Sequence, residues 1–228
     1  MCAEGIFNDT VVLLSVCAED GSVQVATNGV ELGQGLNTKV AATLAYELST
    51  ALNLPLDISQ FRVGAAATDR VANGSQTGGS TTSEACCAAA ILAASALTAR
   101  LKPVLAANPK LDSWQALVTF AAANCVDLQV SSQYALPNPP NDSQFTYYVF
   151  AAACSQVEID VLTGEVHILS VDIVYDCGNS LSPLVDIGQI EGEDKEHAGR
   201  ADMMRPVRWL TLANCRCSCP WLDAQAAS

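Results

Sequence analysis

An apolar run at Val11 to Val16 is followed by the polar stretch Ala18–Glu19–Asp20–Gly21–Ser22, and Val23 to Thr27 then alternates hydrophobic with polar positions. Two such segments flanking a glycine-bearing turn predict a β-hairpin. From Leu36 the period changes. Val40, Leu44, Leu48 and Leu52 recur every fourth residue, on one face of a helix that Asn53–Leu54–Pro55 ends. Phe61 to Ala66 predicts a short strand. Asp69 to Ser83 is small and polar almost throughout, so it adds nothing to a core and predicts a loop. Glu84 to Leu105 predicts a long helix filled with small residues, Ala85, Cys86, Cys87, Ala88, Ala89 and Ala90 among them. Thr82 or Ser83 is placed to cap it, with Glu84 at the positive end of its dipole.

Asp112 or Ser113 predicts the cap of a further helix that ends near Ala123 and turns Trp114, Leu117, Val118 and Phe120 inward. Val126 to Tyr134 alternates again, and Pro137 to Asp142 is a loop rich in Pro and Asn. The best strand–turn–strand signal comes next. Tyr147 to Asp160 puts Val149, Ala151, Ala153, Ser155, Val157 and Ile159 on one side; Leu162–Thr163–Gly164–Glu165 turns the chain; Val166 to Tyr175 returns. A helix is expected near Leu184 to Ile190. The sum is an α+β fold of antiparallel hairpins and long helices. The order of two strands, a helix and a strand does not suggest a dinucleotide-binding unit, and Gly33–Gln34–Gly35 lacks the third glycine of that fingerprint.

The pattern collapses near Glu193. Before it the chain carries 6 Lys/Arg against 19 Asp/Glu, and from it onward 5 against 5, so the whole net charge of −13 lies in residues 1–192. Residues 1–192 therefore form the expected domain, and 193–228 an aberrant or disordered tail. The alternative for part of that tail is a short helix around Val207 to Leu212 docked by Trp209. Cys215–Arg216–Cys217–Ser218–Cys219 invites a metal reading, but its alternate spacing is not the usual two-to-four-residue separation of ligand pairs, and no metal site is expected.

The remaining composition sharpens this picture. Half of the residues are apolar, enough for a sizeable core. The acidic balance argues against a nucleic-acid partner, which needs clustered Lys and Arg. No stretch reaches the ~20 uninterrupted apolar residues of a membrane span, and none resembles a leader peptide, so no membrane partner is expected. The 10 cysteines could suggest a disulfide scaffold, but the chain is too long and apolar to need one. Cys86 and Cys87 read instead as small core hydrophobes in a reducing, cytoplasmic compartment.

Three polar, glycine-bearing segments carry the candidate chemistry: Gly29 to Lys39, Ser75 to Glu84 and Asp176 to Glu191. The first two lead into helices, where free backbone N–H groups attract anions. Gln34, Gln76 and Gln189 offer a donor and an acceptor each, which suits a heterocycle with mixed edges. These features suggest an anionic, heteroaromatic ligand, although a lone Gly–x–Gly or Gly–Gly–Ser often occurs without one. No nucleophilic triad emerges: His167 reads as a half-exposed strand histidine, and His197 lies in the tail. Glu31 is a potential acid or base, though a solvated or helix-stabilising carboxylate is its commoner role.

Taken together the segments resemble the xanthine dehydrogenase and aldehyde oxidase family. Gly29-Val30-Glu31-Leu32-Gly33-Gln34-Gly35-Leu36-Asn37-Thr38-Lys39 resembles the family's GGTEMGQGLHTK. Ser75-Gln76-Thr77-Gly78-Gly79-Ser80-Thr81-Thr82-Ser83-Glu84 resembles its small-residue cofactor loop, in a form nearer the plant-type aldehyde oxidases. Tyr148 to Gly164 resembles the strand ending in VEIDxLTG, and Asp176 to Gly192 resembles DxGxSLNPxxDIGQxEG. The resemblance covers roughly residues 10 to 192.

It implies a partial molybdopterin-binding domain. Gln34 is the implied catalytic residue, brought to the molybdenum end of the cofactor, with Gly33 and Gly35 allowing close approach. Ser75, Gln76, Thr77, Gly78, Gly79 and Ser80 would line the pterin and phosphate, and Gln189 would hydrogen-bond the pterin. Such enzymes hydroxylate an aldehyde or a purine-like N-heterocycle with oxygen from water. Their electrons leave through two 2Fe–2S clusters and FAD, which are expected only in the full-length protein, a cytosolic homodimer. Asn37 stands for the family's His and Val30 for its Thr. Glu193–Asp194–Lys195–Glu196 stands where the family has AFVQG, and the later GVGEP segment with its general base is not in this sequence. The resemblance thus implies a piece that binds cofactor but does not turn over alone. The alternatives are a non-catalytic binding or scaffold module on the same fold, or an unrelated α+β domain with accidental glycine loops.

Overall fold

The computed structural model describes residues 9–72, 74, 76–135, 148–178, 180–197 and 208–211. Ser75, the Pro137–Asp142 loop, Met203, Met204 and the cysteines at 215, 217 and 219 lie outside these. The chain divides into two compact units, Met1–Asn138 and Pro139–Ser228.

The first unit is a four-stranded sheet with helices. Strands β1 (Asp9–Val16) and β2 (Val23–Thr27) form the expected hairpin. β3 (Phe61–Val63) lies parallel to β2, and β4 (Gln129–Ala135) antiparallel to β1, giving the order β3-β2-β1-β4. Between β2 and β3 runs α1 (Leu36–Leu52). The four-residue repeat buries Val40, Leu44, Leu48 and Leu52 as expected, and Asn53 stops the helix in a left-handed conformation, φ 53°. α2 (Thr82–Ala107) then packs on α1, β1 and β4. Its small residues are the reason for the closeness: Ala85, Cys86, Cys87, Ala89, Ala90, Ala93 and Ala94 are all buried. Among the described residues it is the one helix long and apolar enough to cross a bilayer, and here that apolar surface builds the core of this unit. Burying each large side chain, such as Leu97 or Leu101, stabilises the unit by about 1.5–3 kcal/mol.

α3 (Trp114–Ala123) is capped by the Ser113 hydroxyl, which accepts the Ala116 N–H at 3.3 Å. It buries Trp114, Leu117, Val118 and Ala121. Phe120, expected inward, is instead 37% exposed. Ala121 takes the inward position, because it lies one turn beyond Leu117 while Phe120 falls to the side. The Trp114 indole N–H donates to the Gly21 carbonyl at 2.8 Å, fixing α3 to the first hairpin turn.

In the second unit, β5 (Phe150–Ile159) and β6 (Val166–Asp176) form the expected antiparallel hairpin. Gln156 pairs with Ser170 and Val157 with Ile168, so Leu169 is an extra residue that breaks strict alternation along β6. The expected one-sided burial of β5 is not seen: all ten of its residues are exposed. β7 (Arg208–Thr211) adds to β6 in parallel, where the alternative reading placed a short helix. α4 runs over Pro183–His197, longer at both ends than the expected Leu184 to Ile190.

Candidate functional site

The first two glycine-bearing segments meet in the first unit. β2 ends at Thr27, whose hydroxyl lies 3.2 Å from the buried Cys86 Sγ and accepts the Gly29 N–H at 3.3 Å. Only a glycine fits there. A Cβ on Gly29 would stand 2.7 Å from Cys86 Sγ, 2.7 Å from Leu36 Cδ2 and 3.0 Å from Thr82 Cγ2. The chain thus enters the first loop wedged between the starts of α1 and α2.

Beyond that wedge the loop is held by side chains. The Val30 N–H donates to the Thr77 hydroxyl at 2.8 Å, which ties the first segment to the second. Gln34 folds back on its own loop: Nε2 donates to the Val30 carbonyl at 2.9 Å and Oε1 accepts the Leu32 N–H at 2.6 Å. Among the described residues, one N–H and one lone pair of this amide have no partner. Gly33 (φ 103°) and Gly35 (φ 73°) occupy backbone conformations that favour glycine.

The start of α1 does not stand open to an outside anion, as the sequence suggested. Glu31 fills it. Its carboxylate accepts the N–H groups of Gly33 at 3.0 Å, Gly35 at 2.9 Å and Asn37 at 3.0 Å. Desolvation pushes the Glu31 carboxyl upward, but the N–H groups of Asn37, Gly33, Gly35 and Leu36 together outweigh it and hold the group below the usual glutamate range.

α2 begins differently. Thr81 occupies its N-cap with no side-chain hydrogen bond to the helix, so the capping expected from Thr82 or Ser83 is not realised. The first N–H groups of the helix have no intrahelical acceptor. Gly79 (φ 63°) and Ser80 (φ 58°) precede it in consecutive left-handed conformations. For Ser80 that costs about 1–2 kcal/mol, a strain typical of ligand-holding turns. Space beyond Gly78 and Gly79 is open to 4 Å. Beside this turn lies a small recess of about 10 Å³, room for about one water, lined by Thr10, Asn28, Gly29, Gln76, Thr81, Thr82 and Ala85. Thr10 is 4% exposed, and its hydroxyl has no hydrogen-bond partner among the described residues. Glu84, in the first helical turn, is half-buried, and burial raises its pKa.

Of the residues singled out from the sequence, Gly33, Gln34, Gly35, Gln76, Thr77, Gly78, Gly79 and Ser80 are thus gathered on two linked loops. Gln189 lies exposed on α4 of the second unit. There Asp186 accepts a hydrogen bond from the Ser180 hydroxyl, and the Cys177 thiol sits 3.7 Å from the same carboxylate. Sequence reasoning missed Thr10 and Asn28, which carry no motif. Their only signal was a polar residue at either end of the first hairpin. It also left Glu31 between two roles, of which the geometry assigns the helix-stabilising one.

Amide donors at a helix start, adjoining glycines, a buried hydroxyl and a glutamine with a donor and an acceptor unused among the described residues offer the partners that a phosphate-bearing, hydrogen-bonding heterocycle would need. This donor set fits molybdopterin, whose phosphate and pterin need such partners. A molybdopterin cofactor-binding domain model matches residues 2–193, and the chain belongs to that family, the cofactor-binding modules of the molybdenum hydroxylases. It is 39% identical over 180 residues to a xanthine dehydrogenase of Drosophila pseudoobscura pseudoobscura, covering 76% of this chain and 13% of that protein. It is 44% identical over 178 residues to probable aldehyde oxidase 2 of Oryza sativa subsp. japonica, covering 76% of this chain and 12% of that protein. The chain thus spans about an eighth of the length of these relatives. Its fold is also that of the aldehyde oxidoreductase from Desulfovibrio desulfuricans, with a TM-score of 0.63 at 20% identity, over 82% of this chain and 20% of that one.

Proposed function

We propose that this chain holds molybdopterin as one module of an oxidoreductase that hydroxylates aldehydes or purine-like N-heterocycles. The form of the Gly78 to Glu84 loop supports an affinity with the plant-type aldehyde oxidases. The observation that carries the reading is the joining of the two glycine loops through Val30 and Thr77 beside the uncapped start of α2.

In this reading the amides of the Gln76 to Ser80 segment and the first turn of α2 bind the phosphate. The neutral donors and the helix dipole stabilise its charge. Gly78 and Gly79 let the backbone approach closely. Gln34 presents its remaining N–H and lone pair to the ring system, with Gly33 and Gly35 leaving room beside it. When bound, the cofactor supplies the redox chemistry by which an oxygen from water is added to a substrate carbon. The residues of this chain orient it and exclude water from its polar edge. FAD, two 2Fe–2S clusters, a cytoplasmic location and homodimer assembly belong to the same proposal for the whole protein.

The test is uptake rather than turnover. The 228-residue chain is produced in cells that make molybdopterin, and the pterin released from the purified protein is quantified by fluorescence. Stoichiometric pterin in the wild-type chain, lost in a Gly78→Val/Gly79→Val variant that remains folded by circular dichroism, is expected. A folded wild-type chain carrying no pterin overturns the proposal.

A further inference from the structure

We propose that Glu31 is the resident anion of the α1 N-terminus, which preforms the Gln34 loop without any ligand and keeps outside anions from its amides. This rests on the molybdopterin reading for its purpose, but not for its geometry. Two helices begin side by side at Gly29, and each presents the positive end of a dipole. A ligand with one phosphate meets two similar amide clusters, and a loop able to bind it in two ways would misplace Gln34. The carboxylate removes that ambiguity. Three N–H groups at 2.9–3.0 Å already point at Glu31. Gly33, Gly35 and Asn37 are tied to one side chain, which holds the loop where Gln34 reaches Val30 and Leu32. The Thr77 hydroxyl then fixes how far this preformed loop stands from the α2 turn. Glu31 is a positioning residue, acting on the ligand through the loop it orders.

Amide hydrogen exchange and backbone NMR of the full chain, with inorganic phosphate as the probe, test this without cofactor. In the wild type, the Gly33, Gly35 and Asn37 amides are expected to exchange slowly and to keep their shifts when phosphate is added. Glu31→Ala is expected to speed their exchange about tenfold, the scale of losing a charge-assisted hydrogen bond. It is also expected to make these amides respond to phosphate. Glu31→Gln keeps one acceptor oxygen and guards against a variant that fails to fold; intermediate exchange is expected. Unchanged exchange in both variants overturns the proposal, as does a phosphate response at Gly33 to Asn37 in the wild type. Because these signals need no molybdopterin, a chain that never takes up the cofactor refutes the functional reading and leaves this one separately decided.

Discussion

Val30 donates its N–H to the hydroxyl of Thr77 at 2.8 Å, across 47 residues of sequence. The same Val30 gives its carbonyl to Gln34 at 2.9 Å. One residue with an unremarkable side chain therefore joins the two loops through its backbone alone. Replacing Thr77 by Val keeps the shape and deletes the acceptor. The bond is exposed, so the stability cost is expected at the low end of about 0.5–1.5 kcal/mol. The effect on molybdopterin retention should be larger, because the loop spacing is lost. Thr77→Ser keeps the oxygen and should retain pterin like the wild type. Equal retention by Thr77→Val and Thr77→Ser in the released-pterin assay would remove this role.

Gly29→Ala tests the wedge between the two helices. The new methyl meets Cys86 Sγ and Leu36 Cδ2 at 2.7 Å, both on buried residues with no room to retreat. Overpacking of this kind costs about 1–3 kcal/mol. Urea denaturation should show that loss. Adding Cys86→Ala opens space on one side, so the double variant should lose less than the two single effects summed. Simple additivity argues against direct contact.

Much of this arrangement was legible in the sequence, and the exceptions have physical reasons. The α1 repeat and the Leu162 to Glu165 turn are local signals, and both elements formed where expected. The glycine motifs located both loops because positive φ and close approach restrict residue type so strongly. What stayed hidden depends on distant partners. Phe120 loses the inward position to Ala121, since the partner surface, not propensity, selects the face. The open cap of α2 could not be read from Thr81-Thr82-Ser83, three good capping residues, because capping depends on where the hydroxyls point. The parallel pairing of β3 with β2 reflects a crossover through α1 that no short motif encodes. In the second unit, alternation along β5 predicts a buried face, and the described chain provides none.

Glu84 makes a pH prediction with a definite sign. Burial raises its pKa in the folded chain. The folded state therefore holds the proton more tightly than the unfolded one. Its favourable contribution is complete below the unfolded value, ~4.3, and is lost as pH rises through the folded value. Glu84→Gln removes the ionisation. Its melting temperature should exceed the wild type's at pH 7 and converge with it near pH 4. A lower melting temperature at pH 7 would mean that Glu84's charge helps the α2 start more than its burial hurts, reversing the sign argued here.

Gln34 allows the sharpest contrast between two substitutions at one position. Its amide donates to the Val30 carbonyl and accepts from the Leu32 N–H, and a carboxylate can do only the second. Gln34→Glu therefore sets an anion against a carbonyl oxygen and beside the charged Glu31, in a site that is proposed to receive a further anion. Gln34→Ala merely removes both bonds and leaves room for water. The charged variant, although closer in size, should retain less pterin than the alanine one, by about tenfold for each ~1.4 kcal/mol of repulsion. Its Leu32 amide should stay protected from exchange, because that acceptor survives, while in Gln34→Ala it should open. Pterin retention by Gln34→Glu at the wild-type level would show that the amide's donor is not needed, and that Gln34 serves the loop rather than the cofactor.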